Sequence, residues 1–310
     1  MRAPQVVPEP GLPERVTVYE VGPRDGLQNE DIVLPVEVKV SFIERLIAAG
    51  LPVVEATSFV HPRWVPQLAD ATEVLAALGA QPALLPVLVP NERGLDRALD
   101  SGATAVAVFA SATESFARRN LNRGLDEQYA MFEPVVDRAR AAGVAVRAYV
   151  SMCFGDPWEG AVPVDQVVTA GRRMLDLGAT QLSLGDTIGT GTPGHVRALL
   201  DGLTAAGTDV SQLAVHFHDT YGQALGNALT ALRAGVTTID SSAGGIGGCP
   251  YARSATGNLA TEELVWMLHG LGVSTGIDLP ALVATSTWMA EQLGRPSPSP
   301  LVRTLAAEAG

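Results

Sequence analysis

Cysteine is scarce in this chain, with only two copies, Cys153 and Cys249, among 310 residues. Small secreted domains that depend on disulfides carry a far higher density of cysteine, so this class of protein is excluded. We interpret both cysteines as free thiols in a protein of a reducing compartment.

Long apolar segments are also missing. No run of 18 uninterrupted apolar residues occurs, so the sequence predicts no membrane-spanning helix. Residues Met1–Arg15 contain four prolines and two glutamates, without the apolar stretch of a signal peptide or the pattern of a transit peptide. We interpret them as a flexible tail. Because Ala306–Gly310 carries no peroxisomal address either, the sequence favours a cytoplasmic protein without a membrane partner.

Basic residues are fewer than acidic residues in this chain. The chain has 33 acidic and 21 basic residues and a net charge of −12. Nucleic-acid-binding proteins usually present a basic face to the phosphate backbone, so this composition argues against a nucleic-acid partner. Apolar residues make up 47% of the chain, and its length is that of one β/α barrel domain.

Short apolar or β-branched runs alternate with segments of helical spacing. The predicted strands are Val16–Val21, Val53–Phe59, Ala83–Leu88, Ala105–Ala110, Val144–Ser151, Gln181–Gly185, Leu213–His218 and Thr237–Ser241. The predicted helices between them are Val36–Ala49, Val65–Leu78, Leu95–Leu99, Tyr129–Ala142, Val164–Leu177, Val196–Ala206 and Leu225–Ala234. This alternation predicts an α/β fold, a closed parallel (β/α)8 TIM barrel formed by one domain over residues 16–310.

Helix ends and the C-terminal region add to this prediction. Two further helices, Thr261–Leu271 and Leu279–Leu293, exceed what barrel closure requires. We expect an extension from about residue 260 over one barrel end, finishing in an extended Pro296–Pro300 segment. Five glycines are predicted to form left-handed helix caps: Gly50, Gly143, Gly178, Gly207 and Gly235.

Two histidines, His216 and His218, lie at the end of the seventh predicted strand. Side chains two residues apart on a strand share one face, so both imidazoles can reach one metal ion. Histidines on the inward face of a barrel strand are costly unless they are paired or ligated. An isolated pair of this kind is more often structural, but its place at the catalytic end of a barrel strand favours metal ligation.

The first predicted strand ends in a tight turn in which glycines flank Arg24 and Asp25. A carboxylate there would face the barrel mouth, across from the two histidines. Such a mixed set of nitrogen and oxygen donors suits Mg²⁺ or Mn²⁺. In the structural alternative, Asp25 caps the next segment and Arg24 pairs with Glu20 at the surface.

A glycine-rich segment, Gly244–Tyr251, follows the eighth strand and carries Cys249. Glycines at this density usually mark a mobile turn or close approach of the backbone to a ligand, and an ordinary turn with an incidental cysteine is the alternative. Cys153, at the end of the fifth strand, lacks comparable surroundings, and we interpret it as structural.

Together these segments closely resemble 3-hydroxy-3-methylglutaryl-CoA lyases, which belong to a wider family of metal-dependent barrel enzymes that make or break bonds next to carbonyls. The similarity runs from about Val16 to about Arg295. It is strongest over Glu20–Glu30, Glu55–Gln67, Ser183–Pro193 and His216–Leu259.

The resemblance implies a metal centre and two catalytic groups. Four positions match the family's ligands of a divalent ion, which we expect to be Mg²⁺ or Mn²⁺: Asp25, His216, His218 and Asn258. Arg24 matches the position that contacts the substrate carbonyl, and Cys249 matches the thiol of a mobile loop.

Three further positions match the family's substrate pocket. Glu55 matches the residue that holds the arginine, although it could pair with another cation. Ser58 and Asp186 match pocket residues, although Asp186 could equally cap the following turn. Two segments depart from the family: Gly155–Gly160 lacks a cysteine that many relatives carry, which weakens the case for a redox role, and Arg253-Ser254 replaces a lysine-glycine pair in the loop.

The resemblance implies metal-assisted retro-Claisen cleavage of 3-hydroxy-3-methylglutaryl-CoA to acetyl-CoA and acetoacetate, a reaction of leucine degradation and ketone-body metabolism. Arg24 would stabilise the enolate, Cys249 would protonate it, and Asp25 or His216 would accept the hydroxyl proton. The expected partner is the CoA thioester, with Arg118–Asn120 as candidate phosphate contacts, although exposed arginines are more often solvated surface. We expect a homo-oligomer, and specifically a dimer.

Two alternative functions stay open at this point. A related barrel lyase or synthase could act on another 3-hydroxyacyl-CoA or on a 2-oxo acid, because the Arg-Asp and His-x-His elements fit the whole wider family. A catalytically silent metal-binding scaffold should have lost at least one metal-contacting residue, whereas every one is present.

Overall fold

The computed structural model describes residues 3–249 and 252–307, with their side chains except those of residues 249 and 252–256. A curled parallel sheet forms the centre of the molecule. Its segments are β1 (Thr17–Glu20), β2 (Val53–Val54), β3 (Thr57–Ser58), β4 (Val87–Leu88), β5 (Ala105–Ser111), β6 (Ala145–Ser151), β7 (Gln181–Asp186), β8 (Leu213–Phe217) and β9 (Thr238–Ser241). Neighbouring strands follow the order β2-β1-β9-β8-β7-β6-β5-β4-β3.

The sheet closes into a barrel because β2 and β3 are two pieces of the single predicted strand over 53–59. β2 pairs with β1 and β3 pairs with β4, so the interrupted strand joins the two ends of the sheet. Backbone hydrogen bonds continue across the interruption, from Glu55 N to Glu20 O and from Ala56 N to Pro86 O. The predicted eight-stranded TIM barrel is confirmed.

Helices surround the barrel and continue beyond it. Those that alternate with the strands are α1 (Val36–Ala48), α2 (Ala71–Leu78), α3 (Glu92–Asp100), α4 (Glu114–Leu121), α5 (Leu125–Ala141), α6 (Val164–Asp176), α7 (Pro193–Ala205) and α8 (Ala224–Arg233). After β9 come a short antiparallel pair, β10 (Gly248–Cys249) and β11 (Ala252–Thr256), and then α9 (Thr261–Gly270), α10 (Leu279–Gln292) and α11 (Pro300–Ala307). Within the described ranges, none of these helices is long and apolar enough to cross a membrane.

Two helices, α4 and α11, were not predicted. In α4 only Phe116 and Ala117 are buried, so the helix lacks the repeated apolar spacing of a packed face. α11 begins at Pro300, the last residue of the segment expected to be extended. Proline suits the first turn of a helix, where its missing N–H would have no partner. The predicted helix over 65–78 is divided into a short 3₁₀ turn and α2.

All five glycines predicted to cap helices have positive φ angles, between 72° and 110°. At Gly50, after α1, a Cβ atom would also lie 2.3 Å from Gly276 O, so the position needs both the conformation and the space. These tight reversals return each helix to the start of the next strand. The C-terminal ends of all the strands therefore lie together at one mouth of the barrel.

The segment for which the sequence predicts a flexible tail lies along the turn that follows α9. Val7 N donates a hydrogen bond to Gly270 O at 2.8 Å, and Ser274 N donates to Glu14 O at 2.9 Å. These contacts hold the described part of the segment, from Ala3 onward, against the C-terminal helices.

Two buried carboxylates hold the turn Ala243–Gly245, at the start of the glycine-rich loop. Glu20 accepts a hydrogen bond from the first backbone amide of this turn at 2.9 Å. Glu262, on α9, accepts one from the second amide at 2.8 Å and another from Ser286 on α10. Burial raises the pKa of Glu20 to about 7 and the pKa of Glu262 to about 8. These two acid groups attach the C-terminal helices to the barrel mouth.

Replacing Glu262 by glutamine should remove one source of instability at higher pH. The folded protein keeps Glu262 protonated up to a pH of about 8, whereas the unfolded chain ionises it near the ordinary pKa of 4.5. Ionisation therefore opposes folding increasingly as the pH rises between these values. Relative to the wild type, Glu262→Gln should gain free energy of unfolding by at most about 1.4 kcal/mol per pH unit in this window.

Urea titrations at several pH values measure this gain. The exposed Glu291→Gln change on α10 is the matched control, and its free energy of unfolding should follow the wild type at every pH. Parallel pH profiles for the wild type and Glu262→Gln would contradict the prediction.

Candidate active site

Arg24 and Asp25 lie in a single wide helical turn, Gly22–Gly26, just after β1. The carbonyl oxygen before the turn accepts the amide hydrogens of both residues. The two glycines are required sterically, because a Cβ atom on the first would lie 2.7 Å from the Glu20 carboxylate and one on the second would lie 2.7 Å from Ile246. Close packing of this turn against its neighbours therefore places the Arg-Asp pair at the mouth.

His216 and His218 lie at the C-terminal end of β8, with ring centroids 5.2 Å apart. One nitrogen from each ring and one oxygen of Asp25 all lie within 4.8 Å of one another. Asn258 Nδ2 donates to Asp25 Oδ2 at 3.0 Å, and the backbone of Asn258 pairs with that of His218. The four positions predicted as metal ligands thus come together from three distant parts of the chain. We call these four residues the cation group.

The protonation states of the cation group suit metal binding. Burial, together with His216, lowers the pKa of His218 to about 4, so this ring is neutral at physiological pH. Burial alone would raise the pKa of Asp25, but Arg24 and the two histidines outweigh burial and lower the pKa to about 2. Neutral imidazole and ionised carboxylate are the forms that bind metal ions.

Three buried polar atoms of the cation group have no hydrogen-bond partner among the described residues: Asn258 Oδ1, His216 Nδ1 and His218 Nδ1. A buried polar atom left unsatisfied costs about 1–3 kcal/mol, so native structures rarely retain one without a reason. A bound cation would compensate an unpaired acceptor at this place. Because the donors are mixed oxygen and nitrogen atoms, the residues present fit a divalent ion such as Mg²⁺ or Mn²⁺.

Glu55 holds the guanidinium of Arg24 at the edge of the cation group. Its carboxylate contacts Arg24 Nε and accepts hydrogen bonds from Tyr149 at 2.6 Å and from Tyr19 at 2.9 Å. Burial disfavours the charge of Arg24, but Glu55 and Asp25 outweigh burial and raise its pKa. A permanently charged guanidinium is therefore fixed beside Asp25, in the contact that the sequence analysis expected of Glu55.

Ser58 and Asp186 lie near the mouth but make local contacts. Ser58 Oγ accepts a hydrogen bond from Val60 N at 3.2 Å. Asp186 accepts hydrogen bonds from Thr190 N at 3.0 Å and Gly191 N at 2.9 Å, which is the turn-capping alternative that the sequence left open. Burial raises the pKa of Asp186 to about 6. Neither residue lines the cavity formed by the described residues, so their substrate contacts stay predictions.

A cavity of about 570 Å³ opens at the mouth and includes Arg24, Asp25 and both histidines in its wall. Arg119 and Asn120, two of the three residues considered for the CoA phosphates, also line this cavity. The Arg119 guanidinium lies 4.3 Å from the centroid of the Trp158 ring. Arg118, the third, is exposed and pairs with Glu114 on its own helix. The same cavity therefore contacts Asp25, both histidines and the positive charge of Arg119.

The two cysteines differ in what the structure describes. The side chain of Cys249, predicted as the loop thiol, lies outside the described residues, although its backbone belongs to β10. The preceding Gly248 lines the cavity. Cys153 is a buried free thiol whose Sγ donates to Val150 O at 3.1 Å, and burial raises its pKa. These contacts agree with a structural interpretation of Cys153.

The sequence analysis missed three buried polar side chains below the cation group: Arg147, Tyr149 and Asp240. Arg147 and Tyr149 stand at alternate positions of the apolar run over 144–151, and Asp240 stands in the last barrel strand. Alternate residues of a strand face the same side, so this pair in an otherwise apolar run was a signal of a polar barrel interior.

The chain shares its sequence and fold with known proteins. The HMGL-like family model matches residues 15–289. An Arabidopsis thaliana protein named mitochondrial hydroxymethylglutaryl-CoA lyase is 50% identical over 290 residues, which cover 93% of this chain but only 62% of that protein. The crystal structure of hydroxymethylglutaryl-CoA lyase from Pseudomonas aeruginosa has a TM-score of 0.94 and 43% identity, covering 96% of this chain and 99% of that one. A structure of an HMG-CoA lyase from Acinetobacter baumannii, in complex with coenzyme A and 3-methylmalate, has a TM-score of 0.89 and 32% identity, covering 96% of both chains.

Changing members of the cation group should weaken metal binding. Asp25→Asn removes the negative charge of the cation group and His218→Gln removes an imidazole nitrogen, so the affinity for Mn²⁺ should fall by more than the roughly 10- to 100-fold typical of losing a partner behind a ligand. Calorimetric titration of metal-free protein measures the dissociation constant. The exposed His195→Gln change is the control and should bind Mn²⁺ as the wild type does. Unaltered affinity in both Asp25→Asn and His218→Gln would show that the ion binds elsewhere.

Proposed function

Because the chain belongs to the HMGL-like family, we propose that it is a carbon–carbon lyase that cleaves 3-hydroxy-3-methylglutaryl-CoA to acetyl-CoA and acetoacetate. The observation that carries the proposal is the convergence of Asp25, His216, His218 and Arg24 in one cavity. The Arabidopsis relative, half of whose aligned residues are identical to this chain, is named for this reaction.

The cation group would hold a divalent ion, for which we propose Mg²⁺ or Mn²⁺. When bound, such an ion lowers the pKa of a coordinated hydroxyl group and orients it. The protein's own part is to keep Asp25 ionised through Arg24 and to keep His218 neutral through burial. Asn258 adds a neutral oxygen, so Asp25 is the one acidic member of the group and a divalent ion would keep part of its positive charge.

The reaction requires one proton to leave the substrate and another to arrive. Removal of the C3 hydroxyl proton, by Asp25 or His216, allows the C3–O bond to become a carbonyl as the C2–C3 bond breaks. The electron pair of the broken bond passes to the thioester as an enolate. Cys249 would return a proton to C2 and so form acetyl-CoA.

Arg24 is placed to act on the enolate. Its guanidinium is buried, charged and held from two sides by Glu55 and Asp25, so it cannot reorient freely. A preorganised cation stabilises negative charge that develops on the thioester oxygen more than it stabilises the neutral ground state. The effect of Arg24 should therefore fall on kcat more than on KM.

The assay that tests the proposed function supplies 3-hydroxy-3-methylglutaryl-CoA and measures acetoacetate, with metal-free protein and with added Mg²⁺ or Mn²⁺. We expect equal amounts of acetoacetate and acetyl-CoA, formed only when a divalent ion is present. Metal-loaded, folded protein that releases no acetoacetate would contradict the proposal.

A second candidate substrate follows from the Acinetobacter relative, which was solved with coenzyme A and 3-methylmalate. The same site could cleave another 3-hydroxyacyl-CoA whose chain breaks into a CoA enolate and a carbonyl compound. Running the assay with a 3-methylmalyl-CoA substrate alongside separates the two candidates by kcat/KM.

Arg24→Gln and Cys249→Ser should each lower kcat by roughly two orders of magnitude or more, as expected for loss of an oxyanion donor or a general acid. The matched controls are Arg93→Gln, which removes an exposed arginine, and Cys153→Ala, which removes the buried thiol. Both controls should keep kcat within a few-fold of the wild type. Near-normal kcat in Arg24→Gln and Cys249→Ser would remove these residues from the mechanism.

We also propose a cytoplasmic homodimer that acts in leucine degradation. The low cysteine content and the free buried thiol of Cys153 support a reducing compartment. Cell fractionation and light scattering of the purified protein test the location and the oligomeric state.

A further inference from the structure

The barrel interior below the cation group contains a buried ion pair. Arg147 on β6 contacts Asp240 on β9, and the two residues are 5% and 1% exposed. Barrel interiors are usually filled by apolar side chains, and a buried ion pair seldom stabilises a protein more than apolar residues of the same size. The pair therefore calls for a functional explanation.

Asp240 is held from several sides. Its Oδ1 contacts Arg147, and its Oδ2 accepts a hydrogen bond from Ser183 Oγ at 2.9 Å. Arg147 is itself fixed, because its guanidinium carbon lies 3.8 Å from the centroid of the Tyr19 ring and it donates to Gln181 Oε1 at 2.5 Å. The carboxylate of Asp240 consequently has one orientation and a permanent counter-charge.

His216 connects this ion pair to the cation group. Its Nδ1 lies 3.4 Å from Asp240 Oδ2, and its Nε2 lies 4.0 Å from Asp25 Oδ2. Among the residues that the structure describes, the buried Nδ1 atom has no partner in hydrogen-bond geometry, and Asp240 Oδ2 is the carboxylate oxygen that it contacts. The ring thus faces Asp240 with one nitrogen and the cation group with the other.

We infer that Asp240 is a positioning residue that selects the tautomer of His216. An ionised carboxylate can only accept hydrogen bonds, so Asp240 favours the tautomer with hydrogen on Nδ1 and leaves the Nε2 lone pair facing the cation group. In the other tautomer, Nε2 would carry hydrogen and could neither bind a cation nor accept a proton. The inference rests on the proposed cation site, and it assigns a function to the charged barrel interior.

Asp240→Asn tests this assignment with little change of shape. Arg147 donates to Oδ1, so the amide oxygen of the asparagine should take that place and the NH₂ group should replace Oδ2. This NH₂ group would then donate to His216 Nδ1 and favour hydrogen on Nε2. We expect the Mn²⁺ affinity of Asp240→Asn to fall about 10- to 100-fold, the range seen when a partner behind a metal-binding histidine is lost.

The tautomer itself is read from ¹⁵N NMR of histidine-labelled, metal-free protein in mildly alkaline buffer. The chain has five histidines, and the His216 signals are assigned by their loss in His216→Gln. The wild type should show hydrogen on Nδ1 of His216, and Asp240→Asn should show hydrogen on Nε2. The control is Asp156→Asn, which changes a buried carboxylate that accepts hydrogen bonds from Thr113 and Trp158. This variant should leave the His216 tautomer as in the wild type.

If the wild type carries the His216 hydrogen on Nε2, the inference is wrong. This test uses the wild type alone, so the inference can be contradicted even if Asp240→Asn does not fold. Wild-type Mn²⁺ affinity in a folded Asp240→Asn would overturn it as well. The NMR measurement uses neither metal nor substrate, so failure of the lyase assay and failure of this inference can be told apart.

Discussion

A negative charge placed inside the barrel mouth governs the arrangement of the site. The Asp25 side chain is 13% exposed, and an ionised carboxylate at such a place is unfavourable unless other groups compensate it. Arg24 and Asn258 supply part of that compensation, and in the proposed function a divalent ion supplies the rest. Arg24 in turn needs Glu55, so opposite charges alternate from the barrel wall to the cation group.

The barrel is what makes this arrangement possible. Asp25 follows β1, the histidines end β8, and Asn258 comes after the β10–β11 pair, so more than 200 residues separate the first from the last. A closed parallel sheet brings the C-terminal ends of all its strands to one mouth, and short glycine turns keep them there. Buried polar groups such as Arg147 and Asp240 replace apolar packing in the interior. We interpret this replacement as a loss of folding stability that is retained because Asp240 selects the tautomer of His216.

Much of the fold could be predicted from the sequence because its signals are local. The alternation of apolar strands with helices identified the eight strands and most helices, and the glycines after helices marked where helices end. Helix α4 was not predicted, because only Phe116 and Ala117 are buried in it. In the site, the His-x-His spacing and the Arg-Asp turn pointed to the cation group, and the resemblance supplied Asn258. The Asp240–His216 contact could not be predicted, because it joins two strands through side-chain distances that no local pattern encodes.

The central claim is that one divalent ion is held jointly by Asp25, His216, His218 and Asn258. Anomalous diffraction from crystals soaked in Mn²⁺ tests it most directly. The account predicts one strong manganese peak per chain, within about 2.0–2.6 Å of donor atoms from these residues, a range typical of divalent ions in proteins. A peak elsewhere, or none at this place in crystals that bind Mn²⁺, would contradict the account.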